Sequence, residues 1–354
     1  MAHPPKAFRE LARRFVCVRV TDMRGVDLDR YRFDFDLTFA ILTMHPDGTI
    51  YHRFGGRDHT SPTRWIAMKP LLDVMRASLI RDAEHRRNGE PPPVRPRRTI
   101  EDYPTWKEFV GGRTLECAHC HQVGEHEVAS AERAGGFDRT SIWRWPPPDR
   151  IGLVMDATDQ TRVASVTPGS AIARSGIRAN DRLVTVAGMR IASVTDIQAA
   201  LNGLPSGKCA ASIEFVRAGK QRAVRVVLEK GWKRGGPLTF SWRPLKWAMS
   251  PAPGFGGTDL KAERKKSLGI PVENYAFEIG YLVDWGRKAH RGRNARKAGL
   301  KVGDVVTSVN GKTDFRDQNH FHAWFRLRCR VGEVVEIGIL RKGRPRVIRL
   351  PVVQ

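Results

Sequence analysis

Pro168-Gly169-Ser170-Ala171-Ile172-Ala173, followed by Gly176-Ile177 and Asn180-Asp181-Arg182-Leu183, is a pattern that this chain of 354 residues carries twice. The second copy reads Ala295, Ala298-Gly299-Leu300, Val302-Gly303-Asp304-Val305-Val306 and Val309-Asn310-Gly311-Lys312. The logic of the pattern is local. Small residues (Ala171 and Ala173, or Ala295 and Ala298) let a short helix sit tightly on a sheet. A glycine stops that helix, and Asp181 or Asp304 caps the turn that follows. Each copy closes with a strand pair. One runs over 211–216 and 222–228 and turns at Arg217-Ala218-Gly219-Lys220. The other runs over 334–340 and 346–350 and turns at Lys342-Gly343.

Short helix, glycine, aspartate before an apolar strand and a tight turn together resemble a bacterial PDZ domain, in both copies. The resemblance implies a five- to six-stranded, partly open antiparallel barrel with helices. It also implies a way of binding: an extended peptide adds as a strand at the sheet edge, its carboxylate held by loop N–H groups and its side chains facing a helix. Carried onto the first copy, the edge is Ile151, Gly152, Leu153 and Val154, and the facing helix over 194–204 presents Ile197, Gln198 and Leu201. On the second copy the edge falls near 277–280 and the helix over 316–328, with Asn319, His322 and Phe325 as liners. The partners implied are protein or peptide C-termini.

Upstream, Cys117-Ala118-His119-Cys120-His121 is a Cys-x-x-Cys-His motif. Two thiols three residues apart can each reach one vinyl group of a porphyrin, and the adjacent imidazole then lies under the iron. On this reading Cys117, Cys120 and His121 hold a c-type haem, with His121 as the metal ligand. Trp106, Phe109, Trp143 and Trp145 would be the walls, and His126 or Met155 the sixth ligand. A dithiol cycling to a disulfide, half of a zinc site and two unconnected thiols remain open beside haem.

Residues 6–20 read as the end of a helix (Phe8, Leu11, Ala12) running into the strand Phe15-Val16-Cys17-Val18-Arg19-Val20, with Cys17 packed as a small buried hydrophobe. A strand over 37–44 turns at His45-Pro46-Asp47-Gly48 into 49–54, a hairpin signal. A helix capped near Ser61 or Thr63 follows, with Trp65, Met68, Leu71, Leu72, Met75 and Leu79 on one face. This order resembles the last three-quarters of a thioredoxin-like domain that lacks its first strand and redox helix. A proline- and arginine-rich linker comes next, and a Trp-bearing connector joins the two repeats.

The domains expected are therefore 1–86 thioredoxin-like, 87–99 linker, 100–149 Cys-x-x-Cys-His segment, 150–230 first PDZ copy, 231–274 connector and 275–354 second PDZ copy. The fold class is α+β multidomain. The net charge of +24, from 61 Lys+Arg against 37 Asp+Glu, is spread along the chain without an arginine-rich helix, so no nucleic-acid partner is expected. No apolar run reaches membrane-spanning length, and Met1 to Phe8 lacks the apolar core of a signal peptide.

Taken whole, Arg14-Phe15-Val16-Cys17-Val18-Arg19, Leu37-Thr38-Phe39-Ala40, Pro46-Asp47-Gly48-Thr49 and the Cys-x-x-Cys-His phrase make the chain resemble a bacterial family of thioredoxin/PDZ domain-containing (seleno)proteins. That resemblance implies export to the periplasm or cell envelope. In some members it implies a Cys-x-x-selenocysteine site before the region where this chain begins. The function expected is a redox-associated envelope protein: a haem or dithiol centre serving a redox partner, beside two peptide-gripping modules. The alternative is a non-catalytic PDZ adaptor whose thiols are structural or bind zinc. Peptidase activity is not expected from the residues, because neither a Gly-x-Ser-x-Gly nor a His-Glu-x-x-His motif is present.

Overall fold

In the computed structural model, which describes residues 4–112 and 117–354 apart from the Arg287 side chain, the hairpin signal at His45-Pro46-Asp47-Gly48 forms its turn. Gly48 N donates to His45 O at 3.0 Å, with Gly48 at a φ of 100°. Helix α1 (Lys6–Ala12) precedes strands β1 (Ala40–Met44) and β2 (Ile50–Gly55), which pair antiparallel. Helix α2 (Met68–Asn88) follows. It buries Leu71, Val74, Met75 and Ser78, one face at helical spacing, against Phe54 and the partly buried Phe8 and Leu11.

This region is not the thioredoxin-like domain expected. The segment Phe15 to Val20 forms no strand, and Val16, Val18 and Val20 are 93%, 80% and 63% exposed. Cys17 is exposed rather than packed. A strand needs a neighbour for its N–H and C=O groups. Among the described residues β1 and β2 pair only with each other, so no edge receives this segment. Ser61 and Thr63 do not cap α2 either. Ser61 N is held by Asp58 Oδ1 at 3.1 Å and Thr63 N by Ser61 Oγ at 3.2 Å, which spends both residues on a turn.

The Cys-x-x-Cys-His segment folds onto the first forty residues. Helices α3 (Pro104–Val110) and α4 (Cys120–Arg133) share a core of Met23, Leu28, Phe33, Ile100, Trp106 and Val123. The end of the linker is fixed to this core by Arg98, which donates twice to Asp29, at 2.8 and 3.1 Å. Residues 1–3 of the N-terminal stretch and 113–116 of this segment lie outside the described residues.

The first repeat then contributes β3 (Leu153–Met155), β4 (Val163–Val166), α5 (Ala171–Ser175), β5 (Arg182–Val186), β6 (Met189–Arg190), α6 (Val194–Gly203), β7 (Cys209–Arg217) and β8 (Lys220–Leu228). β3 pairs with β4, and β6-β5-β7-β8 form a second antiparallel sheet. Ser170 Oγ caps α5 by accepting from Ala173 N at 3.1 Å, and Gly176 ends it in the left-handed region at φ 84°. All of this belongs to one compact unit, Met1–Gly235.

The other unit, Gly236–Gln354, holds α7 (Pro237–Phe240), β9 (Phe255–Asp259), α8 (Ala262–Ser267), β10 (Phe277–Leu282), α9 (Ala289–Lys297), β11 (Val305–Val309), α10 (Gln318–Arg328), β12 (Val334–Arg341) and β13 (Arg344–Pro351). Its five strands lie in the order β13-β12-β11-β10-β9. The edge expected at 277–280 is therefore an interior strand. The outer position belongs to β9, inside the stretch read as a connector, so the second repeat starts well before residue 275.

Candidate peptide-binding site

In the first repeat, a 3-10 turn over Pro148–Arg150 leads into β3. Ile151 N donates to Pro148 O at 3.2 Å and Gly152 N to Asp149 O at 3.0 Å. Gly152 has φ 96°, and a Cβ there would meet Ser170 Oγ at 2.0 Å, so only glycine lets the loop bend so close to the cap of α5. Gly152 O accepts from Thr167 N at 3.0 Å, and Val154 lies opposite Ser165. By the alternation of an antiparallel ladder, the N–H and C=O of Leu153 face the other edge, away from β4. Among the described residues no strand pairs with that edge.

The residues assigned to peptide binding divide into two groups. Ile151, Leu153, Ile197 and Leu201 meet in one buried cluster that joins β3 to α6. Val154 is half-buried and Gln198 is buried. Sequence reasoning missed a further contributor, Trp65. It stands before α2 rather than on it, and it enters this same cluster. Its carbonyl accepts from Gln160 Nε2 at 3.0 Å, and Gln160 Oε1 in turn accepts from Val194 N at 3.1 Å.

The first turn of α6 is tied to β2. Ser193 Oγ caps the helix by accepting from Asp196 N at 3.1 Å, and it donates to Arg53 O. Thr195 Oγ1 donates to Gly55 O at 2.8 Å. Asp196, fully buried, accepts from Arg53 N at 2.8 Å and Ala192 N at 3.0 Å, and faces His52 Nδ1 at 2.9 Å. A buried carboxylate is tolerated only with such partners. The sequence signal for it was the Ser-x-x-Asp spacing at 193–196, a helix-start pattern.

The second repeat has the same frame. Asp317 caps α10 by accepting from His320 N at 2.8 Å. Counting from the two caps, Phe321, His322 and Phe325 stand where Ile197, Gln198 and Leu201 stand in α6. Phe321 and Phe325 join Phe255 and Phe277 in the core. The edge strand β9 is tied to α10: Gly257 N donates to Gln318 Oε1 and Gln318 N to Asp259 Oδ2, each at 3.3 Å. A Cβ at Gly257 would meet Glu278 O at 1.7 Å, so β9 lies closer to β10 than any side chain allows. Trp247 lies edge-on to His322 at 4.9 Å and under the Arg326 guanidinium at 5.0 Å.

Both repeats carry one further feature that the sequence reading half found. Asp181 accepts twice from Arg217, at 2.7 Å each, and from Arg178 N at 2.9 Å, while Arg217 also donates to Gly176 O at 2.8 Å. Asp304 accepts twice from Arg341, at 2.7 Å each, and from Lys301 N at 2.8 Å, while Arg341 donates to Gly299 O at 2.6 Å. The turn-capping role of the aspartates holds, and the arginines complete it. Burial alone would raise the Asp181 carboxyl; the Arg217 guanidinium and the Arg178 N–H outweigh it and hold the group below the usual carboxylate range.

The Cys-x-x-Cys-His segment leads into α4, which starts at Cys120. Ala118 and Val123 turn into the protein's own core, and the walls Trp106 and Phe109 close on His126, 5.3 Å from each ring. His126 Nδ1 lies 3.0 Å from Thr105 Oγ1, and Met155 is packed inside the first repeat, so neither is placed as a sixth ligand. A depressed thiol pKa favours thiol exchange. Burial pushes the Cys120 thiol up. His121 faces Glu125 Oε1 at 3.2 Å, and this hydrogen bond raises its pKa. Among the described residues, Cys117, Cys120 and His121 do not converge as a metal-ligand set would.

Residues 146–209 match the PDZ domain family, so a PDZ domain is present. The chain is 32% identical over 97 residues to the periplasmic pH-dependent serine endoprotease DegQ of Escherichia coli K12, which is 26% of this chain and 18% of DegQ. It is 29% identical over 106 residues to the periplasmic serine endoprotease DegP of Salmonella typhimurium LT2, covering 28% of this chain and 19% of DegP. Among solved structures, the HtrA-type protease AlgW with decapeptide aligns over 40% of this chain and 41% of its own, at 18% identity and a TM-score of 0.24. The chain thus spans 18% and 19% of the length of the curated relatives it matches. Neither the fold nor these relatives support a thioredoxin or selenoprotein family. The redox function is corrected accordingly: the relatives are periplasmic serine endoproteases, and Cys120 and His121 lie in the first turn of α4.

Proposed function

We propose that this protein is a peptide-capturing PDZ protein of the cell envelope, with β3 and α6 as its receiving groove. The observation that carries the reading is the outward edge of Leu153. It lies beside a glycine-bent loop and next to a helix that shares the Ile151, Leu153, Ile197 and Leu201 cluster. A peptide added there gains main-chain hydrogen bonds from the edge. The envelope location rests on the periplasmic relatives. Among the described residues no helix is long and apolar enough to cross a membrane.

The test is hydrogen exchange on the full chain, with and without peptides ending in a free carboxylate. Binding should protect the amides over 151–155, and amidating the peptide's C-terminus should weaken it by about tenfold, or about 1.4 kcal/mol. Failure of every free-carboxylate peptide to bind, or binding without protection at 151–155, would sink the reading.

A further inference from the structure

His45 and Asp47 sit in the turn between β1 and β2, and His85 sits near the end of α2. His85 is 38 residues beyond Asp47 but meets the turn at one point. His45 Nδ1 lies 3.1 Å from Asp47 Oδ2, and His85 Nε2 lies 2.8 Å from the same oxygen. The three atoms all fall within 4.8 Å of one another, the one such His/Cys/Asp/Glu group found among the described residues.

The arrangement is built rather than accidental. Asp47 Oδ1 is occupied by Thr49 N at 2.8 Å, which turns Oδ2 toward the imidazoles. The turn is closed by His45 N donating to Thr49 O at 2.9 Å, and Arg30 donates to the Asp47 carbonyl at 2.9 Å. The His85 ring lies against the backbone at Gly89, where a Cβ would come within 1.9 Å of Nδ1. Its ring neighbours are His45 at 4.7 Å and Tyr51 at 5.9 Å, and the Tyr51 hydroxyl donates to Asp82 at 3.0 Å.

We propose that His45, Asp47 and His85 bind a zinc-class divalent cation, with a fourth coordination position open to solvent. Ligand bonds of about 2.0–2.1 Å in tetrahedral geometry set ligand atoms about 3.3 Å apart. The spacings of 3.1 and 2.8 Å fall short of that by up to half an ångström, and the two imidazole nitrogens lie within 4.8 Å of each other, so a small adjustment brings the three onto one ion. Two imidazoles and one carboxylate are a donor set that suits zinc. Side-chain exposures of 23%, 20% and 11% leave a path for the ion. Binding would pin the β1–β2 turn to the end of α2.

Calorimetric titration of zinc chloride into the chelator-stripped full chain tests this. One equivalent should bind, and zinc should raise the unfolding temperature. His85→Gln and Asp47→Asn should each weaken binding at least about tenfold with the circular dichroism unchanged. In Asp47→Asn the amide oxygen can still accept from Thr49 N, so the turn survives. The double variant Cys117→Ser/Cys120→Ser should bind as the parent does, and cobalt(II) in place of zinc should give d–d absorption without a thiolate charge-transfer band. No bound equivalent would overturn the proposal. So would binding that persists in His85→Gln and Asp47→Asn but is lost in the cysteine variant.

Discussion

The two repeats share a frame and differ at the helix that faces the edge strand. The clamp of Asp181 by Arg217 recurs, atom for atom, in Asp304 and Arg341. Both facing helices begin on a side-chain cap, Ser193 or Asp317. Yet α6 is covered at its start by β2 and Trp65 and carries the neutral Gln198. In α10 the equivalent place is the buried His322, beside Trp247 and Arg326. Frame positions repeat because each copy must solve the same turn. Helix faces diverge because each meets a different neighbour.

The largest expected effect tests whether the frames are equivalent. Arg217→Ala and Arg341→Ala each leave a carboxylate stranded, Asp181 at 1% exposure or Asp304 at 2%. Each should cost about 3 kcal/mol. Urea unfolding of the full chain, followed by hydrogen exchange at β5 and β11, should show losses of similar size in the two repeats. A loss confined to one of them would break the equivalence.

A smaller effect separates the helix faces by pH. Burial first, then the Arg326 and Lys246 charges, hold His322 well below its ordinary pKa, and its Nε2 has no hydrogen-bond partner among the described residues. A group depressed in the folded state contributes stability that is complete above its unfolded pKa, about 6.5, and is lost as pH falls below it. The second repeat should therefore weaken below that pH by up to about 1.4 kcal/mol per unit for this one proton. His320, lowered by burial and Lys312, adds to the same trend. His322→Gln, which installs the residue of the first repeat, should remove one proton's share of the slope in urea midpoints measured between neutral and mildly acidic pH. An unchanged slope would mean that the two faces titrate alike.

The smallest effect lies in the tight turns. Asn310-Gly311 adopts positive φ at both positions, 48° and 76°, and Ala187-Gly188 does the same at 47° and 78°. Asparagine adopts that region at less cost than alanine does. Ala187→Asn should stabilise the first repeat by about 0.5 kcal/mol, read as a higher urea midpoint. A decrease would show that the first turn depends on something other than its backbone.

Much of the frame was legible from residues alone. The helix caps, Gly176, the turn-forming aspartates and the closing hairpins each rest on a rule that acts within a few residues. The same hairpin logic found His45-Pro46-Asp47-Gly48. What misled was pattern without partner. Phe15 to Val20 has the composition of a strand but no ladder to join. The second edge was placed a strand too late, because the intervening α8 hides the tie between β9 and β10. Arg217 and Arg341 were readable, since both precede the Gly of a closing hairpin turn, but only if the two copies are aligned to their ends.

By itself the sequence determined that two copies of one local design exist, because caps, glycines at positive φ and hairpin turns are set by neighbours along the chain. Only the tertiary structure decided which strand forms each edge, that Trp65 enters the first repeat's core, and that His45, Asp47 and His85 meet. These depend on contacts between segments far apart in sequence. Their energy comes from burial and hydrogen bonding that no window of the chain contains.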